Sequence, residues 1–436
     1  MTFTDAPPEH PNQLRDEVRT WVRQSWAEDI TVREWWRRLQ EERLVAPSWP
    51  APYGRGWRAE DARTIIEELA AAGVIAPPQG TVGTTLAGPT LLEHGTPEQQ
   101  ARLLPPLLRG EEAWCQLFSE PGAGSDLAGL GTRAVRDGES FTVNGQKVWN
   151  SGADIADRGM LLARTDIDVP KHAGLTYLVL DMHQDGVEAR RIRQMNGDAQ
   201  FCEVFLTGAR VSTADIVGSP GDGWRVAATT LRSERSMVAS RAARGLVFVP
   251  SGGRAGFLDR MVGDVIADLP AARTFSGNAV PTRRLIELAQ ARGRNSDPHL
   301  RQQLVRYYTL TEISRITQLR ARASGGRVGA GAASITKLGI SRICHTSREV
   351  SFAVLGADTL LDADDAPFHG ELQRVGLASL GTSIGGGTDE IQRNLLGERV
   401  LGLPREPQLD RDVAYRDLRV GTQRSTSDAP DAAADR

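Results

Sequence analysis

The chain has 436 residues, 40% hydrophobic and 25% charged, which places it among soluble globular proteins of about two to four domains. A net charge of −3 and an isoelectric point near 6.2 exclude the global basic field that concentrates nucleic acid or an anionic membrane surface, so an anionic ligand must be held locally. Three widely spaced cysteines, Cys115, Cys202 and Cys344, argue against a disulfide framework and for buried apolar thiols in a reducing compartment, and seven scattered histidines without HxxH, HxxxH or CxxC spacing give no support to a protein-built zinc or iron site.

From about residue 10 to 112 the apolar spacing is helical, in LRDEVRTWV, ARTIIEELAAAG and PEQQARLLPPLLRG, each broken by Pro or Gly. From 113 to about 216 short alternating runs take over. They include SFTVNGQKVWN, where Asn144-Gly145 between two strand-like runs predicts a tight hairpin, and then GLTYLVLDM and CEVFLTGARV. After SPGDG, helical spacing returns in WRVAATTLRSERSMVASRAARGL, RRLIELAQARG, LRQQLVRYYTLTEISRITQLRARAS and SITKLGISRICHTSREVSFAVL. The break VPSGGRAG and a short helix in FLDRMVGDVIADL follow the first of these.

The order predicts an α+β protein: an N-terminal helical domain (1–112), a central β domain (113–220), a C-terminal helical domain (221–404) and a polar, flexible tail (405–436). No signal peptide and no apolar run near eighteen residues is present, so the sequence reads as cytoplasmic, without a membrane span. Lysine occurs only at Lys147, Lys171 and Lys337. The remaining cationic side chains are arginine, a bias that carries no functional reading.

Two segments carry chemistry. In WCQLFSEPGAGSDLAGLGTRAV, the turn Pro121-Gly122-Ala123-Gly124-Ser125 can aim several backbone N–H groups one way, as phosphate or a flavin edge requires; taken alone, such a turn entering a strand is more often a plain connection. In NGQKVWNSGADIADRGMLLART, Trp149 stands close to the hydroxyl of Ser151. A flat, amphipathic flavin needs such a stacking surface beside directed donors.

FSEPGAGSD, NGQKVW, CEVFLTGARV and GTDEIQRNLLGER, in this order, resemble the blocks of the acyl-CoA dehydrogenase family over roughly residues 10 to 404. The resemblance implies an N-terminal helical domain, a central β-barrel and a C-terminal four-helix bundle. It also implies FAD-dependent α,β-dehydrogenation of an acyl-CoA thioester, with the β-hydride passing to flavin N5 and an electron-transferring flavoprotein taking the electrons afterwards. By position, Phe118 and Ser119 lie along the flavin pyrimidine edge, Gly124 and Ser125 near the pyrophosphate, and Trp149 and Ser151 at the ring. Thr388 and Glu390 are carried over as further cofactor contacts. Arg235 matches an arginine on the CoA portion, and Ser125, Gly386 and Gly387 fall on the substrate side.

The sequence departs from the family at the base. Many members carry Tyr-Glu-Gly-Thr where this chain reads Gly385-Gly386-Gly387-Thr388, so Gly386 stands where the glutamate usually is. A subset resembling isovaleryl-CoA and long-chain dehydrogenases takes its glutamate from the first bundle helix instead, just before the CoA-contacting arginine. In TLRSERSMVAS that residue is Glu234. A carboxylate enclosed against an apolar acyl group loses solvation, its pKa rises, and it becomes a competent base. The alternative is a structural glutamate on an arginine-rich helix. Asp389 and Glu390 fit a helix start better than catalysis.

A second departure lies at the adenosine end, where the family's neighbouring subunit contributes Arg-x-x-Phe-Gly and Gln-x-x-Gly-Gly. The matching positions are Arg294-Asn295-Ser296-Asp297-Pro298 and Ala353-Val354-Leu355-Gly356-Ala357, so only Arg294 and Gly356 survive. The chain therefore forms either a homo-oligomer, dimer or tetramer, with a weaker hold on adenosine, or a heterotetramer with a paralogous subunit that completes the site. Two further readings remain open: a non-catalytic subunit, and a flavin monooxygenase or oxidase of the same fold.

Overall fold

The computed structural model describes Phe3 and residues 11–78, 82–239, 246–268, 278–323, 329–405, 407 and 410–418. The N-terminal helices are α1 (Pro11–Ser25), α2 (Val32–Glu41), α3 (Ala59–Ala71), α4 (Gly88–His94), which continues a π-helical turn over Gly83–Ala87, and α5 (Pro97–Leu108). The short α2 was not among the predicted helices. Thr31 caps it by accepting from the Glu34 N–H, and Val32, Trp35, Trp36 and Leu39 form a buried stripe at helical spacing. Both indole N–H groups donate into the core, to the carbonyls of Ile75 and Ala76 at 2.8 Å.

Among the described residues, eight strands form one mixed sheet: β1 (Trp114–Leu117), β2 (Arg133–Asp137), β3 (Ser140–Ser151), β4 (Arg158–Arg164), β5 (Leu175–Asp181), β6 (Val187–Ile192), β7 (Phe201–Ser212) and β8 (Ile216–Val217). The order is β6-β7-β3-β2-β4-β5-β8, with β1 parallel to β4. β1 also packs against β3, and β5 against β7, so the sheet wraps a core of its own that includes Cys115, Phe141, Val143, Leu161, Leu178 and Val204. All three cysteines are buried and free.

The hairpin expected at Asn144-Gly145 is not there. β3 runs straight through that pair, with a register shift against β7 between Val143 and Asn144. Gly145 has φ +158°, which is extended backbone, and a β-carbon on it would stand 2.3 Å from Thr132 Oγ1, so the glycine serves a close approach and not a turn. The turn lies earlier, where β2 pairs with β3 up to Asp137 and Ser140 across Gly138-Glu139, with Gly138 at φ +58°.

The remaining helices are α6 (Gly223–Ala239), α7 (Val262–Ala267), α8 (Thr282–Ala291), α9 (Pro298–Ala323), α10 (Gly329–Leu355), α11 (Glu371–Ala378) and α12 (Asp389–Leu395). α10 packs against α6, α8, α9, α11 and α12. The core of this part includes Leu285, Leu304, Tyr307, Val354 and Leu372, while Val226 and Ala227 of α6 join the core of the N-terminal helices. The expectation of a flexible tail from residue 405 needs correction over residues 410–418. Tyr415 and Arg416 donate backbone N–H groups to the carbonyls of Val169 and Ile167, and the Tyr415 ring is buried, so one aromatic pins a polar segment to the β domain. The terminal STSDAPDAAADR lies outside the described residues. Among the described residues, no helix is long and apolar enough to cross a membrane.

Candidate active site

The end of β1 and the last part of β3 are zipped together. Asn150 Nδ2 donates to the Gln116 carbonyl at 2.6 Å, Lys147 Nζ to the Phe118 carbonyl at 2.9 Å, and the Val148 N–H to the Ser119 carbonyl at 2.9 Å. Lys147 is fully buried and completes its three bonds on Leu162 O and Glu120 Oε1, both at 2.8 Å. Glu120 also accepts from the N–H groups of Gly131 and Thr132. Burial pushes the Glu120 carboxyl up, but Lys147 and these donors outweigh it and hold it below the usual carboxylate range. Sequence reasoning missed Lys147, Glu120 and Asn150 as site residues, although all three sit inside the stretches that carry the chemistry.

This frame presents the residues singled out for a flavin. Trp149 sits at the second register shift of β3, at φ +64°, a conformation unfavourable for a bulky side chain, and its ring is 58% exposed with its edge supported by Phe201. Strain that exposes an aromatic has no packing reward, so it points to a ligand. Asn150 Oδ1, one residue on, is buried and accepts no hydrogen bond. The turn after Phe118 is closed by reciprocal backbone bonds between Glu120 and Ala123; a β-carbon on Gly124 would meet open space, and Ser125 is exposed. An open stacking surface, an unsatisfied buried acceptor and a glycine turn with a free approach fit FAD.

The helix α6 reaches this wall through buried hydroxyls. Tyr177 meets the Phe118 ring edge-on at 5.8 Å, its OH lies 3.3 Å from Thr230 Oγ1, and Thr230 bonds Thr90 of α4 at 2.8 Å. Glu234 follows Thr230 by one turn and is half-buried. Its Oε1 lies 3.8 Å from the point where a β-carbon on Gly386 would stand. The carboxylate thus reaches the position that the glycines vacate. Arg235 is the next residue of α6, and its side chain lies outside the described residues.

The glycine segment is locked from the other side. Gly386 and Gly387 have φ +69° and +84°, and a β-carbon on Gly387 would lie 2.8 Å from Gln392 Nε2. That buried amide donates to Gly386 O at 3.0 Å and accepts from Ser334 Oγ at 2.7 Å. Thr388 caps α12 by accepting from the Ile391 N–H, as a helix start requires. Asp389 does something else: it accepts from Lys337 at 2.6 Å and Ser341 at 2.9 Å, both on α10. Glu390 is exposed and pairs with Arg393. Gln392 and Lys337 are further supports that the sequence alone did not reveal.

At the opposite corner Arg294 and Gly356 do meet. Arg294 Nη1 donates to Ala353 O at 2.5 Å, near the end of α10, and a β-carbon on Gly356, at φ +62°, would lie 3.1 Å from that nitrogen. Asp297, standing where the family has an aromatic, accepts from the N–H groups of His299 and Leu300 and so caps α9, with Pro298 as its first residue.

Fold and site together define a flavin-dependent oxidoreductase built from helices on either side of a β domain. The profiles of the N-terminal, middle and C-terminal domains of acyl-CoA dehydrogenase match residues 9–111, 115–209 and 272–401. The chain is 37% identical over 413 residues to the acyl-CoA dehydrogenase IpdE1 of Mycobacterium tuberculosis, covering 90% of this chain and 98% of that one. It is 40% identical over 369 residues to FadE34 of the same organism, covering 84% of this chain but only 46% of FadE34. Among solved structures, the Tcur3481-Tcur3483 steroid ACAD superposes with a TM-score of 0.68 at 26% identity, covering 93% of this chain and 100% of that one. The ChsE4-ChsE5 complex from Mycobacterium tuberculosis gives 0.63 at 25%, with the same coverage. This chain belongs to the acyl-CoA dehydrogenase family, FAD-dependent oxidoreductases that act on CH–CH bonds.

Proposed function

We propose that the chain oxidises an acyl-CoA thioester to the trans-2-enoyl-CoA, with Glu234 as the base that takes the α-proton onto a carboxylate oxygen. The observation that carries this reading is the 3.8 Å between Glu234 Oε1 and a β-carbon built on Gly386. The base arrives from α6 at the position where the sequence has no side chain to offer. FAD, when bound, supplies the acceptor for the β-hydride. Phe118, Ser119, Trp149 and Ser151 flank its ring, Gly124 and Ser125 receive its pyrophosphate, and Arg235 meets the CoA portion. Gly386 and Gly387 leave room for a bulky acyl group. A ring-bearing, steroid-like acyl chain is supported by the likeness to the Tcur3481-Tcur3483 steroid ACAD, and an electron-transferring flavoprotein is the proposed oxidant of the reduced enzyme.

Glu234→Gln keeps the shape of the side chain and removes the base. The variant retains yellow FAD, and anaerobic bleaching by a steroid side-chain acyl-CoA slows by about 10²–10⁴-fold, the usual contribution of a positioned general base. Bleaching at the parental rate sinks the assignment.

A second reading concerns assembly. With Asp297-Pro298 spent on capping α9, the proposed adenosine contacts come from an unlike subunit, an arrangement supported by the likeness to the ChsE4-ChsE5 complex. Native mass spectrometry of the chain expressed alone then finds substoichiometric FAD, restored on adding the paralogous subunit. A homotetramer saturated with FAD excludes it.

A further inference from the structure

The segment 410–418 returns to the β domain next to the turn that carries Ser125, and it is tied to the residues just after that turn in two ways, one through Lys171 and one directly at Gly129. Lys171 Nζ lies 3.2 Å from Asp126, the residue after Ser125, and 3.1 Å from Asp410 of the segment. Two to five residues further along both segments, the buried Arg164 donates to the carbonyls of Ala128 (2.6 Å) and Leu130 (3.2 Å), and also to that of Lys171 itself (3.0 Å), while its guanidinium stacks on the Tyr415 ring at 3.4 Å from the centroid. The Tyr415 hydroxyl is 3.4 Å from Gly129 O. Around the turn Leu127–Gly129 that follows Asp126, the carbonyls of Ala128 and of Leu130 just beyond it are therefore held by one arginine, and that arginine is covered by one tyrosine of the C-terminal strap.

We infer that Tyr415 and Asp410 are positioning residues for the cofactor turn: the strap fixes Arg164 and Lys171, and through them the backbone from Asp126 to Leu130, so that FAD affinity depends on a segment far downstream in sequence. The physical ground is that a glycine-rich turn binds an anion well only when its N–H groups are held in place beforehand; an unheld turn loses affinity to the entropy of ordering. Asp126, Leu127 and Ala128 have no regular sheet partner to hold them, and the strap supplies what the sheet does not. The inference rests on the placement of the FAD pyrophosphate at Ser125.

The test titrates the apo-protein of the full chain, with its partner subunit if one is needed, into free FAD and reads the dissociation constant from flavin fluorescence; the thermal midpoint of each apo-protein is read in parallel. Tyr415→Ala weakens FAD by about tenfold, the scale of a desolvated cation–π contact. Tyr415→Phe keeps the ring and stays within about threefold of the parent. Asp410→Asn, on a partly exposed residue, weakens FAD by about two- to threefold. Affinities of Tyr415→Ala and Asp410→Asn equal to the parent overturn the inference, as does a loss in Tyr415→Phe as large as in Tyr415→Ala. If Tyr415→Ala does not fold, Asp410→Asn decides alone. Ser125→Asp sets a carboxylate against the pyrophosphate and is expected to abolish binding. Normal FAD binding by that variant refutes the cofactor placement and the inference with it, whereas its failure to bind while every folded strap variant binds FAD like the parent refutes the strap alone.

Discussion

Lys147 and Arg294 are both cations at proposed ends of the cofactor, and the chain uses them differently. Lys147 is fully buried, with three acceptors on two segments, and the wall bearing Phe118, Ser119 and Trp149 is built around it. Arg294 is 39% exposed, and its short bond goes to the last turns of α10 in its own domain. A compact ammonium with all its donors engaged fixes a wall; a half-exposed guanidinium caps a helix that would exist without it. The wall proposed for the flavin ring is therefore braced within one chain, whereas the residues at the proposed adenosine corner bond to helix ends.

The largest effect comes from breaking the first half of that contrast. Lys147→Met leaves Glu120 buried without its counter-ion, which costs about 3–5 kcal/mol. Denaturant unfolding of the variant is expected to show that loss together with an empty flavin site. A stable, yellow protein means that the wall stands without the pair.

Much of this architecture was legible in the sequence, and the limits have physical reasons. Helical spacing marked α1, α3, α5, α6 and α8–α10 because their apolar residues recur at helical intervals, although α9 buries only Leu300, Leu304 and Tyr307 of its apolar side chains and exposes Val305, Ile313, Ile316 and Leu319. The Asn144-Gly145 pair was misread because an asparagine-glycine turn and a bulge that admits Thr132 have the same local signature; only the partner strand distinguishes them. Partners distant in sequence were invisible for the same reason. The scarcity of lysine carried no message by itself, yet each of the three lysines pairs with a carboxylate that holds a site segment: Lys147 with Glu120, Lys171 with Asp126, Lys337 with Asp389. The strap was missed because a lone Tyr415 in a polar stretch gives no periodicity, only a contact.

A smaller effect sharpens the contrast through pH. Asp389 resembles Glu120: burial pushes its carboxyl up, and Lys337 and Ser341 outweigh burial, leaving it below the usual range. A carboxyl whose folded pKa is depressed adds stability above its unfolded pKa and loses it as pH falls through the folded one. Both pins therefore hold at neutral pH and are lost only as pH falls below the ordinary carboxylate range. Flavin release and loss of far-ultraviolet ellipticity are expected to share one acid midpoint. Flavin leaving at a pH where the ellipticity is intact means that these carboxylates do not hold the site.

The smallest effect belongs to the adenosine corner. Arg294→Ala removes a helix-end donor and a long ion pair to Asp297, and exposed charges of this kind are worth about 0–1 kcal/mol. If the corner only caps α10, the variant melts within a few degrees of the parent, and the chain alone binds FAD as the parent does. A loss of FAD from the chain alone, without a matching loss of stability, gives Arg294 a cofactor role between two copies of this chain. The contrast with Lys147 then becomes one between two halves of a homo-oligomeric site, and the unlike subunit is no longer needed.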